Sequence, residues 1–277
     1  MTTIMGKAGD VVAKIGELPP IPAVILESMK LLNDPSSTVK KIQEQILLDQ
    51  ALTAFILKLA NSALYSLRKE VSTVSYAINL MGYNTARSIL IAYLSKNLYS
   101  SRGNKLIQSV LWKHSLSTGV FGKKIAEHLE KVDPEEAFIS SLLHDIGKGV
   151  LLKNKTENFE EIVQLIYIEN MNSTEAERKV LGFTHVEAGY VLMKNWRFSD
   201  TIVETVTYHH NLNEYNGKNL LVPIVSLANK MSHLNNYTFD KREEELVELN
   251  MLDISEADIE VISRKAIEQI ENYLEIF

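Results

Sequence analysis

The chain of 277 residues contains no cysteine. That excludes a disulfide framework and thiolate ligands, so any bound metal must sit on nitrogen and oxygen. It also fits a reducing compartment. Long apolar runs are missing too. The best of them, around residues 54–60 and 88–95, fall well short of the roughly 18–20 residues of a membrane span, and Lys58 interrupts the first. Residues 1–16 have no extended apolar core behind a basic start, so no signal peptide is read there and a cytoplasmic location is expected. Positive charge is in short supply: the net charge is −6, with 12 Lys/Arg against 7 Asp/Glu in residues 1–105 and 4 against 12 in residues 240–277. A mildly basic front and an acidic tail make a poor footprint for nucleic acid, and neither nucleic acid nor membrane is an expected partner.

Strand signals are scarce as well, while apolar residues recur at the helical period along most of the chain. An all-α fold follows. The stiff run Leu18-Pro19-Pro20-Ile21-Pro22 leads into a helix that Asp34-Pro35 stops near Asn33. Thr38 caps a second helix through Ile42 and Ile46, and Leu52, Phe55, Ile56 and Leu59 form one face of a third. Another runs from Thr73 to Met81 and ends at Gly82. Asp133-Pro134-Glu135-Glu136 joins a cap, a proline at the first helical position and acids at the positive helix end, and opens a helix expected to reach Gly147. Thr184-His185-Val186-Glu187 is a capping box that opens a helix to Trp196. Further starts lie at Asp200, Pro223 and Ser255. The polar, turn-rich Ser100-Ser101-Arg102-Gly103-Asn104 is the best boundary. It divides the chain into two helical lobes, 1–103 and 104–277, the second carrying the acidic tail.

The placement of the seven histidines is the most informative pattern. His114 falls within the apolar stripe of Ile107, Val110, Leu111, Thr118 and Phe121. His144 and Asp145 sit in the apolar helix end Leu142-Leu143-His144-Asp145-Ile146-Gly147-Lys148. His185 shares a face with Gly189, Leu192 and Trp196, and His209 and His210 follow Val206 at helical spacing. Buried without partners, each of these groups would cost kcal/mol-scale free energy. A shared cation satisfies them all, since imidazole and carboxylate suit Fe, Mn, Zn or Ni. A metal-free, hydrogen-bonded polar cluster is the alternative. His128 and His233 lack any such context and are expected at the surface.

His114, His144-Asp145, His185 and His209-His210 together resemble the HD superfamily of metal-dependent phosphohydrolases. A narrower resemblance covers about Leu18 to His233. Leu18–Pro22, Leu48-Asp49-Gln50-Ala51-Leu52, Leu59-Ala60-Asn61-Ser62-Ala63, Ala77-Ile78-Asn79-Leu80-Met81-Gly82 and the stretch from His185 through Trp196 to His209-His210 look like the HDOD family. That likeness implies a bacterial regulatory module of signal transduction with an HD-type helical lobe. It would have a signalling protein as partner, could take a small phosphorylated ligand, and would show little or no catalysis.

There are three departures, two of which bear on activity, while the third is a minor change at a helix junction. HD hydrolases carry a second aspartate on a later helix, where this chain has Asn229. His209-His210 runs into Asn211-Leu212-Asn213 without the Gly-Tyr-Pro loop of the cyclic-dinucleotide phosphodiesterases. Asp49-Gln50 stands where Asp-Pro is common. The resemblance thus implies a metal set of His114, His144, Asp145, His185, His209, His210 and Asn229. Asp145 and Lys148 would take catalytic roles only if the protein is a metal-dependent phosphohydrolase.

Overall fold

The computed structural model describes residues 2–62, 65, 70–100, 103–238, 240 and 246–276, with side chains from residue 9 onward. In chain order the helices are α1 (Thr2–Ile15), α2 (Ala23–Asn33), α3 (Val39–Ile46), α4 (Gln50–Ala60), α5 (Val74–Met81), α6 (Tyr83–Tyr99), α7 (Lys105–Leu129) and α8 (Pro134–Leu143). They continue as α9 (Ile146–Asn154), α10 (Thr156–Glu169), α11 (Ser173–Leu181), α12 (His185–Asn195), α13 (Asp200–Tyr208), α14 (Leu221–Leu234), α15 (Glu248–Leu252) and α16 (Glu256–Ile276). No strand occurs among the described residues, and the fold is all-α as expected.

The capping residues read from the sequence do what their chemistry allows. Thr38, Thr73, Asp133 and Thr184 each accept a bond from a backbone N–H of the first turn, and Asp49 and Asn104, not read as caps from the sequence, do the same. Thr184 and Glu187 complete a reciprocal box. Gly82 ends α5 with φ +82°, a conformation that favours glycine.

The chain forms two compact units: Pro20–Leu94 with Ile267–Phe277, and Met1–Pro19 with Ser95–Ala266. In the smaller unit α3 packs on α2 and α5, and α4 on α5, around Ile42, Ile46, Leu52, Ile56, Leu59, Val74 and Ile78. Its motif residues are joints. Asp49 accepts from Leu52 N at 2.9 Å at the start of α4. Asn61 Oδ1 accepts from Val71 N at 2.7 Å while its amide donates to Val71 O at 2.8 Å, closing the loop after α4. Gln50 occupies the first helical position, where proline and glutamine are both accommodated. Ala63, the end of one of the motifs, lies outside the described residues.

The larger unit departs from a cut at residue 103. The division falls inside α6, because Tyr99 bonds Ser115 Oγ at 2.8 Å and Leu98 packs at Gly149. Residues before Pro20 belong here through Trp196 Nε1, which donates to Pro19 O at 2.8 Å, and Asn154, which donates to Glu17 O at 2.7 Å. The end of α16 belongs to the smaller unit, where Lys58 Nζ donates to Ile276 O at 2.5 Å. Ser101 and Arg102, the middle of the expected linker, lie outside the described residues. Within this unit α7 packs on α8 and α14, α9 on α12, α12 on α13, and α10 on α11.

Candidate metal centre

The expected helix from Pro134 to Gly147 is broken at His144-Asp145. The first helix stops at Leu143, and Asp145 becomes the residue before α9 with φ −100° and ψ 16°. That bridge-region conformation is sparsely populated. The Asp145 side chain makes no capping bond, which leaves it free to turn inward. Close packing of α9 on α12 requires the break. A Cβ on Gly147 would lie 1.9 Å from His185 O, and one on Gly189 would lie 2.7 Å from Val206 Cγ1. Glycine at 147 lets the starts of α9 and α12 meet, a contact that delivers His185 to Asp145, and glycine at 189 lets α13 close on α12.

Each of four histidines is held by its outer nitrogen. His144 and His209 stand at the C-terminal ends of α8 and α13, where helix carbonyls lack partners. Their Nδ1–H groups donate to Ser141 O at 2.7 Å and Val206 O at 3.0 Å. His185 donates from Nδ1 to Glu177 at 2.7 Å, and His114 Nδ1 lies 3.2 Å from Ser232 Oγ. Carbonyl and carboxylate oxygens only accept. For neutral His144 and His209 the lone pair is therefore on Nε2, aimed at Asp145.

Asp145 is the hub. Its Oδ2 lies 3.4 Å from Nε2 of both His114 and His144, and its Oδ1 lies 3.0 Å from His185 Nε2 and 3.5 Å from His209 Nε2. His114 and His144 approach each other at 3.2 Å between their Nε2 atoms. Asp145, His185, His209 and His210 form one group whose donor atoms lie within 4.8 Å of one another, and His114, His144 and Asp145 form a second. Asp145 Oδ1, His185 Nε2 and His209 Nε2 are buried with no hydrogen-bond partner. The 3.0 Å approach of His185 to Asp145 is an ion-pair distance without hydrogen-bond direction. Between His209 Nε2 and Asp145 Oδ1 two acceptors face each other, and a cation satisfies both. The donor set, nitrogen and oxygen without sulfur, fits a divalent transition metal.

Charge points the same way. Lys148, a turn beyond Asp145, is 2% exposed and places Nζ 2.8 Å from Asp145 Oδ2 and 3.4 Å from Asp240 Oδ2. Asp240 also accepts from Ser173 N at 3.1 Å. Burial works against the Asp145 charge, but Lys148 and then His144 and His185 outweigh it and hold the carboxyl well below its usual range. Burial likewise opposes a charge on His185, yet Glu177 and Asp145 raise it to about 9. Burial, followed by His210, lowers His209 to about 3. Asp145, Asp240 and Glu177 thus bring three carboxyl groups to the surroundings of the Lys148 ammonium. A divalent cation that displaces the His185 proton would balance the excess and free Nε2 as a donor.

The sequence-derived set is brought together with differences. His114, His144, Asp145, His185, His209 and His210 all belong to the two groups. Asn229 is 2% exposed, and its Oδ1 has no hydrogen-bond partner. It shares a face of α14 with Ser232 and His233, one turn on, and both of those touch His114. His233 corrects the surface expectation: it is 3% exposed, with its ring 5.3 Å from that of His114. Its spacing of four from Asn229 was the available signal. His128 is partly exposed, 3.6 Å from Asp258. Glu177 and Asp240 were missed because carboxylates in polar stretches look like solvated surface.

The HDOD domain family model matches residues 18–212. An uncharacterized protein of Treponema pallidum (strain Nichols) is 24% identical over 206 residues, 74% of this chain, which spans 40% of that relative's length. An HDOD domain protein of unknown function from Geobacter sulfurreducens is 26% identical, with a TM-score of 0.87 over 100% of this chain and 99% of the other. A candidate metal-dependent phosphohydrolase from Shewanella amazonensis SB2B is 20% identical, with a TM-score of 0.68 over 98% and 99% of the two chains. The last likeness is one of fold alone. With the larger part of its length matched by the family model, the chain belongs to the HDOD domain family.

Proposed function

We propose that the protein is a regulatory module of signal transduction. It holds a divalent metal in the HD-type site, engages a signalling protein through its surface, and turns over little or no substrate. The observation that carries this reading is the closure of the donor set: His114, His144, Asp145, His185 and His209 are each 2% exposed or less. Phosphoester hydrolysis needs room for a phosphoryl group and a water beside the donors. Here Lys148 instead lies directly on Asp145. Asn229 adds to the case, since an amide oxygen is a neutral, weaker donor than a carboxylate and takes no proton from water.

His185, His209 and His210 with Asp145 would hold the metal on one side of the carboxylate, and His114 and His144 on the other. Fe, Mn, Zn and Ni all suit these donors. When bound, such a cation lowers the pKa of a coordinated water toward about 7 and withdraws charge from phosphoryl oxygens. The rival reading, a metal-dependent phosphohydrolase or phosphodiesterase, draws on Lys148, whose ammonium could meet a phosphate oxygen while Asp145 serves the metal. Metal analysis of protein purified without chelators, followed by a screen against phosphomonoesters and cyclic dinucleotides, separates the two. Bound metal without turnover is the expected result. Brisk turnover overturns the regulatory reading, and a metal-free protein that ignores added Mn²⁺ and Zn²⁺ overturns the metal site.

A further inference from the structure

We infer that Glu177 is a positioning residue that fixes the ring of His185 and strengthens it as a metal donor; this rests on the metal reading above. Glu177 belongs to α11, is 0% exposed, and directs both carboxylate oxygens at one residue. Oε2 accepts from the His185 backbone N–H at 2.8 Å and lies 2.7 Å from Nδ1, with Oε1 2.9 Å from the same nitrogen. His185 is the first residue of α12, so its N–H has no partner within the helix. One acid therefore grips the backbone and the ring of His185 together. A flip of the ring would turn Nδ1–H away from its acceptor, and a shift of the helix start would break the backbone bond. With both held, Nε2 remains 3.0 Å from Asp145 Oδ1.

The arrangement differs in kind from those behind the other histidines. His144 and His209 lean on neutral backbone carbonyls and His114 on a serine hydroxyl. Only His185 of these four has an anion behind it. A carboxylate on the far nitrogen raises the basicity of an imidazole toward a cation, and removal of such a partner lowers metal affinity by about 10–100-fold. Glu177 lies eight residues before His185, on a different helix, and cannot itself reach the centre while both its oxygens serve His185.

Glu177→Gln keeps the size of the side chain and one acceptor but removes the charge, and Glu177→Asp keeps the charge on a shorter arm. Calorimetric titration with Mn²⁺ and Zn²⁺ should show about 10–100-fold weaker binding for Glu177→Gln, with part of the loss recovered in Glu177→Asp. Nitrogen-15 NMR of the wild-type protein at neutral pH should place a proton on His185 Nδ1 and, on Zn²⁺ addition, a coordination shift on Nε2. A purely structural role would lower the melting temperature of Glu177→Gln and leave its metal affinity at the wild-type value. That result, or an Nδ1 without a proton, overturns the inference, and the NMR arm requires no variant to fold. Absence of metal binding by the wild type overturns the metal reading itself, an outcome distinct from equal affinities.

Discussion

At the scale of single residues, the protonation states around Asp145 determine how the protein responds to pH. Burial, followed by His210, lowers His209 to about 3, and burial, followed by His114, lowers His233 to about 4. Free histidine titrates near 6.5, so between these values the unfolded chain binds more protons than the folded one. Their contribution is present above about pH 6.5 and is lost as pH falls toward 4 and then 3. His185 runs in the opposite sense. Raised to about 9 by Glu177 and Asp145 against the effect of burial, its contribution is complete below the unfolded value and is lost as pH rises through about 9. Chelator-treated protein should therefore melt highest between about pH 6.5 and 9 and lower on either side. A melting temperature that climbs from pH 7 to pH 5 contradicts this account.

Asn229 offers a second test at the same scale. Its buried, unpartnered Oδ1 shares the α14 face that touches His114. Asn229→Asp should tighten Mn²⁺ or Zn²⁺ binding about ten-fold, roughly 1.4 kcal/mol, measured by calorimetry. It should also lower the melting temperature of the metal-free protein, because a bare carboxylate is then buried. Equal metal affinities would place Asn229 outside the donor set.

At the scale of elements, the site depends on how near α9 comes to α12. Gly147→Ala drives a methyl group to 1.9 Å from a backbone oxygen that has no rotamer with which to yield. Overpacking of this kind typically costs about 1–3 kcal/mol, and here it also moves Asp145 away from His185. Gly9→Ala in α1 is the control, with nothing within 4 Å of the new atom. It should be neutral or stabilising by up to about 1 kcal/mol. Thermal melts and metal titrations of the pair check both halves, and wild-type metal affinity in Gly147→Ala would refute the link between helix approach and site geometry. The cap residues of α3, α5, α8 and α12 were readable beforehand because a cap is a local hydrogen bond within one turn. The interruption at His144-Asp145 was not, since Asp145 makes no local capping bond there and the close approach that needs glycine at 147 comes from α12, some forty positions away.

At the scale of the whole molecule, a metal held by these donors would tie α7, α8, α9, α12 and α13 to one point and should act as a folding ligand. At a free Mn²⁺ or Zn²⁺ concentration of one hundred times Kd, binding to the folded state alone adds about 2.7 kcal/mol. The melting transition of the protein should rise with metal concentration and return on chelation. A transition indifferent to both metals would leave the cluster as a metal-free hydrogen-bonded assembly. No helix among the described residues is long and apolar enough to cross a membrane.

The sequence by itself determined the helical class, most helix starts, and the inward aim of His114, His144, Asp145, His185, His209 and His210. Those features follow from the 3.6-residue period and from caps, both of which act over a few residues. Only the tertiary structure decided what stands behind those side chains. Glu177, Asp240 and Ser232 reach the site from α11, from beyond α14 and from α14 itself, and His233 was buried by the packing of α14 on α7. The division of the chain was likewise a matter of contacts. Pro19 O meets Trp196, and Lys58 meets Ile276, across 177 and 218 positions of sequence. A buried charge is satisfied by whatever partner the fold brings to it, and no local pattern records that partner's identity.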